Sequence, residues 1–453
     1  MRGSSGPLLQ FKGSGDTRSY DSKSSLVDAK QTARERAEAG EAAGMYQYGW
    51  CYMKGDCGVT KDEAKGAEWI KKSADAGSFW GMVNYADMLS NGVGVAINED
   101  AAHEYLLKAY EKQPGDADLN VSLGYHYGIG ATKYQDLKKA REHFQKAGPD
   151  PRAWVNLGIM YAFGQGVPVD EKKGAEYLKK ASDAGNMQAK AYYAGMIDGG
   201  ALSIPQDHDL AVKLYKEAAA AGETVALYNA ALMIRDGKYG GEPVDDAKML
   251  DYFTRAANTG YPAAQYELAN AYSQGRLGLT KDREKAVELA KKAAEKDYNS
   301  ALDLLAVYYM DKEQPDLARG YSERALKNPN PQTYLIHAQG IEYGLLGKPA
   351  DVNASRPFYE KAAALNDREA NYRLGLAHYT AEMGYKKNFK KFRELMQKAA
   401  DKKDYRGIEK MGMAWEYGLG GPKDLQKAIA HYREASELGS NLAAQALVRL
   451  KVQ

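Results

Sequence analysis

Apolar residues recur along most of this chain with the spacing of one face of a helix. The clearest stretch is 153–185, where Leu157 and Tyr161 fall on one face of a first helix and Leu178 and Ala181 on one face of a second. Lysines take the opposite face of the second helix. The pattern therefore predicts two short amphipathic helices joined by a loop.

Glycines and an aspartate mark the ends of these two helices. Gly158 removes a side chain from the first helix at the point where the second must cross it closely. Gly164 and Gly166 end the first helix, because glycine tolerates the left-handed conformation of a C-terminal cap. Asp170 precedes the second helix, where a carboxylate can accept hydrogen bonds from free backbone N–H groups.

The same pattern returns along the chain with a near-constant period. Each copy closes on a small or turn-forming residue, and successive closing positions lie 31 to 38 residues apart. These positions are Gly77, Gly115, Gly148, Gly185, Gly222, Gly260, Asp297, Asn328, Asn366, Asp404 and Gly439. A single pair cannot bury its own apolar face, so neighbouring pairs must stack. We therefore predict an all-α solenoid of about eleven helix pairs.

Residues 153–185 resemble the Sel-one-like repeat family, a relative of the tetratricopeptide repeat. The family signature runs Ala, Leu-Gly, Tyr, Gly-x-Gly-Val, Asp, Lys-Ala, an aromatic residue and Ala-x-x-Gly, and nearly every position is present here. The resemblance extends from about Ala37 to Leu450. It implies a right-handed α/α superhelix with a concave surface formed mainly by the first helices. It also implies adaptor or scaffold roles in bacterial envelope processes, host interaction or quality control.

The strength of the resemblance divides the chain into three expected regions. Residues 1–24 begin MRGS, are rich in Gly and Ser, and are expected to be a disordered leader or expression tag. Residues 25–297 are expected to hold an initial helix and about seven close copies of the repeat. Residues 298–453 are expected to hold degenerate repeats and a capping helix, because several copies there have lost loop glycines.

Charge and composition exclude several classes of partner. The chain is 44% hydrophobic and 27% charged, which is typical of a folding, soluble sequence, and its net charge is only +2. No large positive field therefore indicates a nucleic acid or an anionic membrane. No stretch approaches the roughly 20 apolar residues of a membrane span. Other proteins are the expected partners.

No arrangement of residues in the sequence indicates catalysis, a metal or a cofactor. The Gly-x-Gly runs follow helices and recur in successive repeats, which is typical of helix caps rather than of a phosphate-binding loop. The seven histidines are scattered, with none at a close ligand spacing from another. No Ser, Cys or Lys nucleophile stands in a recognisable context. We predict a non-enzyme without cofactors.

Aromatic residues at groove-facing positions are the candidate partner-binding residues. In the register that the resemblance implies, these positions are one before the motif Ala, two after it and one after the motif Gly. The candidates at these positions are Tyr46, Trp50, Trp80, Tyr125, Tyr228 and Tyr266, and Phe163, near the groove end of its helix, is a further candidate. Exposed aromatic residues in a concavity favour protein binding. The alternative is that two or more of them belong to the core between repeats, and the tyrosines two after the motif Ala are common in the family.

Two further groups of residues leave their roles open. Cys51 and Cys57 span a turn at Gly55 and could form a small disulfide loop, or could be one buried thiol and one loop thiol. The segment 385–406 is locally basic. Its lysines Lys386, Lys387, Lys390 and Lys391 are either a docking patch for an acidic protein or polyanion, or the outer face of an amphipathic helix.

The sequence thus predicts a protein-binding scaffold, and three settings remain open for it. The first is an adaptor in a bacterial envelope assembly or secretion process. The second is a secreted or surface factor that binds a host protein. The third is an accessory subunit of a polysaccharide- or peptidoglycan-processing system, in which aromatic residues contact sugars. A periplasmic or secreted location, with a signal peptide already removed, is expected, and a cytoplasmic location is the alternative.

Overall fold

The computed structural model describes residues 28–129, 133–199 and 204–452, and within these ranges every regular element is an α-helix. The helices in chain order are α1 (Asp28–Glu38), α2 (Ala42–Lys54), α3 (Glu63–Asp75), α4 (Phe79–Asn91), α5 (Glu99–Lys112), α6 (Ala117–Ile129), α7 (Leu137–Lys146), α8 (Pro151–Phe163), α9 (Glu171–Asp183), α10 (Met187–Gly199), α11 (His208–Ala220), α12 (Thr224–Arg235), α13 (Asp246–Asn258), α14 (Pro262–Gln274), α15 (Arg283–Glu295), α16 (Asn299–Asp311), α17 (Pro315–Ala325), α18 (Pro331–Glu342), α19 (Val352–Ala364), α20 (Arg368–Thr380), α21 (Phe389–Asp401), α22 (Tyr405–Tyr417), α23 (Leu425–Glu437) and α24 (Asn441–Arg449). The predicted leader, 1–24, lies outside the described residues.

The described helices form eleven pairs between the single helices α1 and α24. We call the first helix of each pair the A helix and the second the B helix, so that α2 and α3 are the first A and B helices. The helices of a pair pack against each other, as α8 and α9 do, and a B helix packs against the next A helix, as α3 does against α4. The prediction of an all-α solenoid of about eleven pairs is confirmed.

The chain divides into two compact units, one up to Ala230 and one from Ala231 onward. In the first unit, a continuous core runs through the A and B helices from Ala67 to Tyr192. In the second, successive cores occupy 269–346, 335–383 and 392–446. The boundary predicted near residue 297 rests on sequence consensus and stays a prediction.

The motif glycine of the A helix allows the two helices of a pair to cross closely. A β-carbon on Gly158 would lie 2.6 Å from Cγ of Leu178, a side chain of the B helix. Gly164 ends α8 with a φ of 70°, and Asp170 caps α9 by accepting a hydrogen bond from the backbone N of Lys173. The predicted roles of these three residues are confirmed.

The second glycine of the Gly-x-Gly loop has a role that its sequence position did not indicate. Gly94 has a φ of 68°, and a β-carbon there would lie only 2.1 Å from the carbonyl oxygen of Glu63. Glu63 begins the B helix of the preceding repeat. Gly420 stands in the same relation to Phe389, again with 2.1 Å to a carbonyl oxygen. The loop glycine therefore brings the backbones of successive repeats into contact.

Candidate partner-binding surface

The predicted groove aromatics differ in how far they reach solvent. All of them lie on A helices, and Trp80 and Phe163 are the two exposed ones, with 37% and 43% of their surface accessible. The others are half-buried: Tyr46, Trp50, Tyr125, Tyr228 and Tyr266. Exposure thus singles out two of the seven candidates.

Trp80 occupies the first turn of α4, two residues after the capping residue Ser78. Its indole meets the ring of Phe79 edge-on, with centroids 5.0 Å apart, and Phe79 itself is buried in the core. One turn later, Asn84 donates a side-chain hydrogen bond to the carbonyl oxygen of Trp80 at 2.9 Å. Trp80 therefore stands on a rigid support while its own ring reaches solvent.

Tyr46 and Trp50 are brought together on α2, one turn apart. Their rings meet edge-on with centroids 6.4 Å apart. Trp50 also packs against the core of the first unit, as the alternative of an inter-repeat core residue predicted. The pair offers a partly exposed aromatic surface.

Tyr125 is tied into the structure between repeats. Its hydroxyl oxygen accepts a hydrogen bond from Nδ2 of Asn156 at 3.1 Å, and its ring meets Phe144 edge-on at 5.5 Å. Burial raises the pKa of this phenol above its ordinary value. These contacts join α6 to α7 and α8, so Tyr125 serves packing as well as any surface role.

Two arginines occupy the register position of Trp80 in other repeats, and both form ion pairs within the chain. Each stands one before the motif small residue, as Trp80 does, and each lies between two carboxylates. Arg152 contacts Asp118 of the preceding A helix and Asp150, the cap of its own helix. Arg406 contacts Glu369 at 2.5 Å and Asp404 at 2.7 Å. Since these guanidinium groups are paired within the chain, they fasten successive A helices together.

The second unit contains a buried carboxyl group that the sequence analysis did not single out. Asp303 is only 4% exposed and stands two after the motif residue Ala301, where Val83 and Leu335 fill the equivalent core positions. One oxygen accepts a hydrogen bond from the hydroxyl of Thr333 at 2.9 Å, and the other has no partner among the described residues. Glu409, two after Gly407, is a second buried carboxylate at this register position, so an acidic residue at this position was a signal available in the sequence.

Tyr266 lies close to this carboxyl group. Its ring packs against Tyr298 with centroids 5.8 Å apart. Burial raises the pKa of the Tyr266 phenol, and the charges of Glu267 and Asp303 raise it further. Burial likewise raises the pKa of Asp303 to about 6, against the effect of its hydrogen bond from Thr333. Tyr266 thus lies in an acidic part of the A-helix surface.

Asp303→Asn is expected to stabilise the second unit near pH 7 by about 3 kcal/mol, because the pKa of Asp303 rises from 3.8 to about 6 and one pKa unit corresponds to about 1.4 kcal/mol. The folded-state pKa is raised, so the stability tied to the protonated acid is present below about 3.8 and is lost as pH rises through about 6. Urea unfolding at both ends of this window checks the effect. The exposed control Asp311→Asn should change stability by less than about 0.5 kcal/mol at either pH. Equal effects of the two variants would refute this role of Asp303.

Three aromatic and histidine side chains meet in the first unit although they are far apart in sequence. Nδ1 of His103 and Nε2 of His126 lie 3.0 Å apart, and the ring of Tyr134 stacks on His103 at 4.2 Å. Nδ1 of His126 lies 3.7 Å from a carboxylate oxygen of Glu99. The prediction that the histidines are scattered is wrong for His103 and His126, because stacking of α5 on α6 brings these two side chains together.

The cysteines Cys51 and Cys57 lie at bonding distance, with their sulfur atoms 2.10 Å apart. Together with Asp56 they are the one group of three potential metal-ligand side chains in the described ranges. Because a disulfide offers no thiolate, this group lacks the donors that a zinc site requires.

The lysines of the basic segment are all exposed. Lys391 forms an ion pair with Glu394 at 2.8 Å. Lys386 and Lys387 lie in the loop before α21, and Lys390 lies in its first turn. Of these four lysines, only Lys391 has an ion-pair partner within the described residues.

These features define a helical-repeat protein of the tetratricopeptide-like class, with a surface of A helices that displays aromatic and charged side chains. The sequence matches the Sel1 repeat family in ten segments: 42–78, 81–114, 116–148, 151–186, 188–223, 224–261, 262–298, 338–367, 368–404 and 408–440. These segments cover well over half of the 453 residues, so the chain belongs to the Sel1 repeat family. Proteins of this family generally mediate protein–protein interaction and are typically non-catalytic.

Curated relatives share part of the chain. An uncharacterised protein of Neisseria meningitidis serogroup B is 28% identical over 247 residues, which are 53% of this chain and 49% of the relative. A chitin synthase regulator of Malassezia restricta is 28% identical over 168 residues, 35% of this chain and 11% of the relative. The chain thus spans about half or less of the length of these relatives.

Solved structures of similar repeat proteins also match. A protective antigen of uropathogenic Escherichia coli that displays an SLR fold is 25% identical, with 95% of this chain and 84% of the other covered, at a TM-score of 0.47. A Sel1 repeat protein from Oxalobacter formigenes is 25% identical, with 51% and 99% covered, at a TM-score of 0.42. In the described part of the chain, no helix is long and apolar enough to cross a membrane.

Proposed function

We propose that this protein is a non-catalytic scaffold that binds a partner polypeptide on the A-helix surface of its first repeats, around Trp80. The exposed indole carries the proposal. At the same register position, Arg152 and Arg406 are engaged by carboxylates of the chain itself, whereas Trp80 presents an apolar ring. An exposed tryptophan on a rigid support is the side chain most enriched at the energetic centres of protein interfaces.

Tyr46 and Trp50 extend this surface on the preceding A helix. Their rings are held by each other and by the core beneath, so little side-chain entropy is lost when a partner covers them. Trp80 is proposed as the main contact and the Tyr46–Trp50 pair as its flank. Tyr125 is proposed to act chiefly in packing, because its hydroxyl is already engaged by Asn156.

Trp80→Ala is expected to weaken partner capture by at least about tenfold, since interface tryptophans contribute about 2 kcal/mol or more. The full chain is immobilised, exposed to an extract of the source cells, and the bound proteins are quantified by mass spectrometry. The matched control is Tyr343→Ala, because Tyr343 is 61% exposed and lies in the second unit. Recovery of the same proteins in equal amounts by wild type and Trp80→Ala would rule out this surface.

We further propose that the protein acts in an oxidising compartment, either in an envelope assembly or as a secreted factor. Support comes from the Cys51–Cys57 bond, since disulfides persist mainly outside the reducing cytosol. Fractionation of the source cells with alkylation of free thiols tests this. Recovery of the native protein in the cytosol with both thiols reduced would contradict it.

A further inference from the structure

A positively charged surface lies on the loops that precede α21 and α23 in the second unit. We define the basic edge as Lys386, Lys387, Lys390 and Lys423. The loop that carries Lys423 touches the start of α21, because a β-carbon on Gly420 would lie 2.1 Å from the carbonyl oxygen of Phe389. The lysines of two successive repeats therefore belong to one continuous edge.

The lysines of the basic edge lack counter-charges. All four are exposed, and none has an ion-pair partner within the residues that the structure describes. Lysines in the corresponding loops of the first unit are compensated: Lys61 pairs with Glu63 at 2.8 Å and Lys133 with Asp100 at 3.0 Å. Lys281 and Lys348, in the loops before α15 and α19, also lack an ion-pair partner in the described ranges, but each is the single lysine of its loop, whereas the basic edge brings four uncompensated lysines together.

The start of α21 strengthens the positive potential. Most B helices begin with an acidic residue, such as Glu171 in α9 or Glu284 in α15, which suits the positive end of the helix dipole. The first turn of α21 has no acidic residue and carries Lys390 and Lys391 instead. An acidic group docked at this edge would therefore be favoured both by the lysines and by the helix terminus.

Arg393 adds a further uncompensated positive charge beside this edge. Its guanidinium group lies 4.1 Å from the ring centre of Trp415 and donates hydrogen bonds to the carbonyl oxygens of Ala414 and Pro422. It has no carboxylate partner in the described ranges, and burial lowers its pKa. The contacts fix its position without neutralising its charge.

We propose that the basic edge docks an acidic segment of a partner polypeptide. A polypeptide fits better than a nucleic acid, because the net charge of the chain is only +2 and provides no extended positive field for a phosphate backbone. Phe389, 37% exposed, lies directly beside Lys390 and offers an apolar contact. The segment expected here has several carboxylates and one large apolar side chain.

The test uses the full chain and a fluorescein-labelled, glutamate-rich peptide of about ten residues with one central leucine, at an ionic strength of about 0.05 M. The triple variant Lys386→Glu/Lys387→Glu/Lys390→Glu should weaken binding at least about tenfold. A control with the same charge change, Lys312→Glu/Lys402→Glu/Lys451→Glu, should weaken it less than about twofold, because rim charges far from the contact act only through screened fields. Trp80→Ala should leave it unchanged.

Three outcomes would overturn the proposal. One is no measurable binding of the acidic peptide by the wild-type chain. A second is equal loss in the two triple variants, which would mean that net charge alone drives association. The third is that an oligothymidylate with the same charge binds more tightly than the acidic peptide and loses affinity in the Lys386/Lys387/Lys390 triple variant. That result would assign the basic edge to nucleic acid. The proposed function is tested by partner capture with the Trp80→Ala variant, which does not involve the basic edge. None of these three results therefore bears on it.

Discussion

Gly94→Ala is expected to destabilise the second repeat by at least about 3 kcal/mol. A left-handed conformation costs a non-glycine residue about 1 to 2 kcal/mol. In addition, the new β-carbon would lie 2.1 Å from the carbonyl oxygen of Glu63 and 2.6 Å from its carbonyl carbon. Backbone atoms at the start of α3 cannot move aside without breaking the contact between successive repeats.

The control is Gly185→Ala. Gly185 has a φ of 86°, and a β-carbon there would meet no atom within 4 Å. This variant should therefore show the conformational cost alone, about 1 kcal/mol. Hydrogen exchange of the amides in α3 and α4 reports local stability in a repeat array. If both variants accelerate exchange equally in their own repeats, the loop glycine has no role in joining repeats.

Acidification is expected to loosen the third repeat through His126. Burial, together with the charge of the neighbouring His103, lowers the pKa of this imidazole to about 4, whereas an unfolded histidine titrates near 6.5. The folded-state pKa is lowered for a base, so the unfolded chain takes up a proton first as pH falls. Stability is therefore full above about 6.5 and is lost between about 6.5 and 4, by about 3 kcal/mol.

Hydrogen exchange in α5 and α6, measured at about pH 7 and about pH 4.5 and corrected for the intrinsic rates, tests this dependence. The variant His126→Gln keeps a polar side chain that can bond His103, and it should remove about half of the pH-dependent loss in these helices. His143 lies 2.9 Å from Oδ1 of Asn120 in α6, and burial also lowers its pKa to about 4, so it should supply the part that persists. An unchanged pH dependence in the variant would disprove the assignment to His126.

The period, the helix pairs and the local caps could be read from the sequence because each depends on residues close together in the chain. Gly158 and Leu178 belong to one repeat, and Asp170 bonds within its own first turn. Such contacts recur in successive copies of the repeat, so the many copies together support one prediction of the local structure. The same reasoning placed all seven candidate aromatics on A helices, and the structure confirms that placement.

The rest could not be predicted because it arises between repeats, where each contact occurs once or twice. The His103–His126 contact joins residues 23 apart, and the Arg152–Asp118 and Arg406–Glu369 pairs join residues 34 and 37 apart. The repeat pattern also could not predict which individual aromatic side chains would be buried. Trp50 and Trp80 were equal candidates in sequence, yet one packs on the core and the other reaches solvent.

Photo-crosslinking gives the most direct test of partner binding at the A-helix surface. The full chain, with benzoylphenylalanine in place of either Trp80 or Tyr343, is irradiated in the source cells. If Trp80 is the main contact, position 80 should yield discrete adducts with one or a few proteins, and position 343 should yield none of them. Tyr343 is the more exposed of the two, so exposure alone would favour it. The same adducts in equal yield from both positions, or none from position 80, would contradict the scaffold surface proposed here.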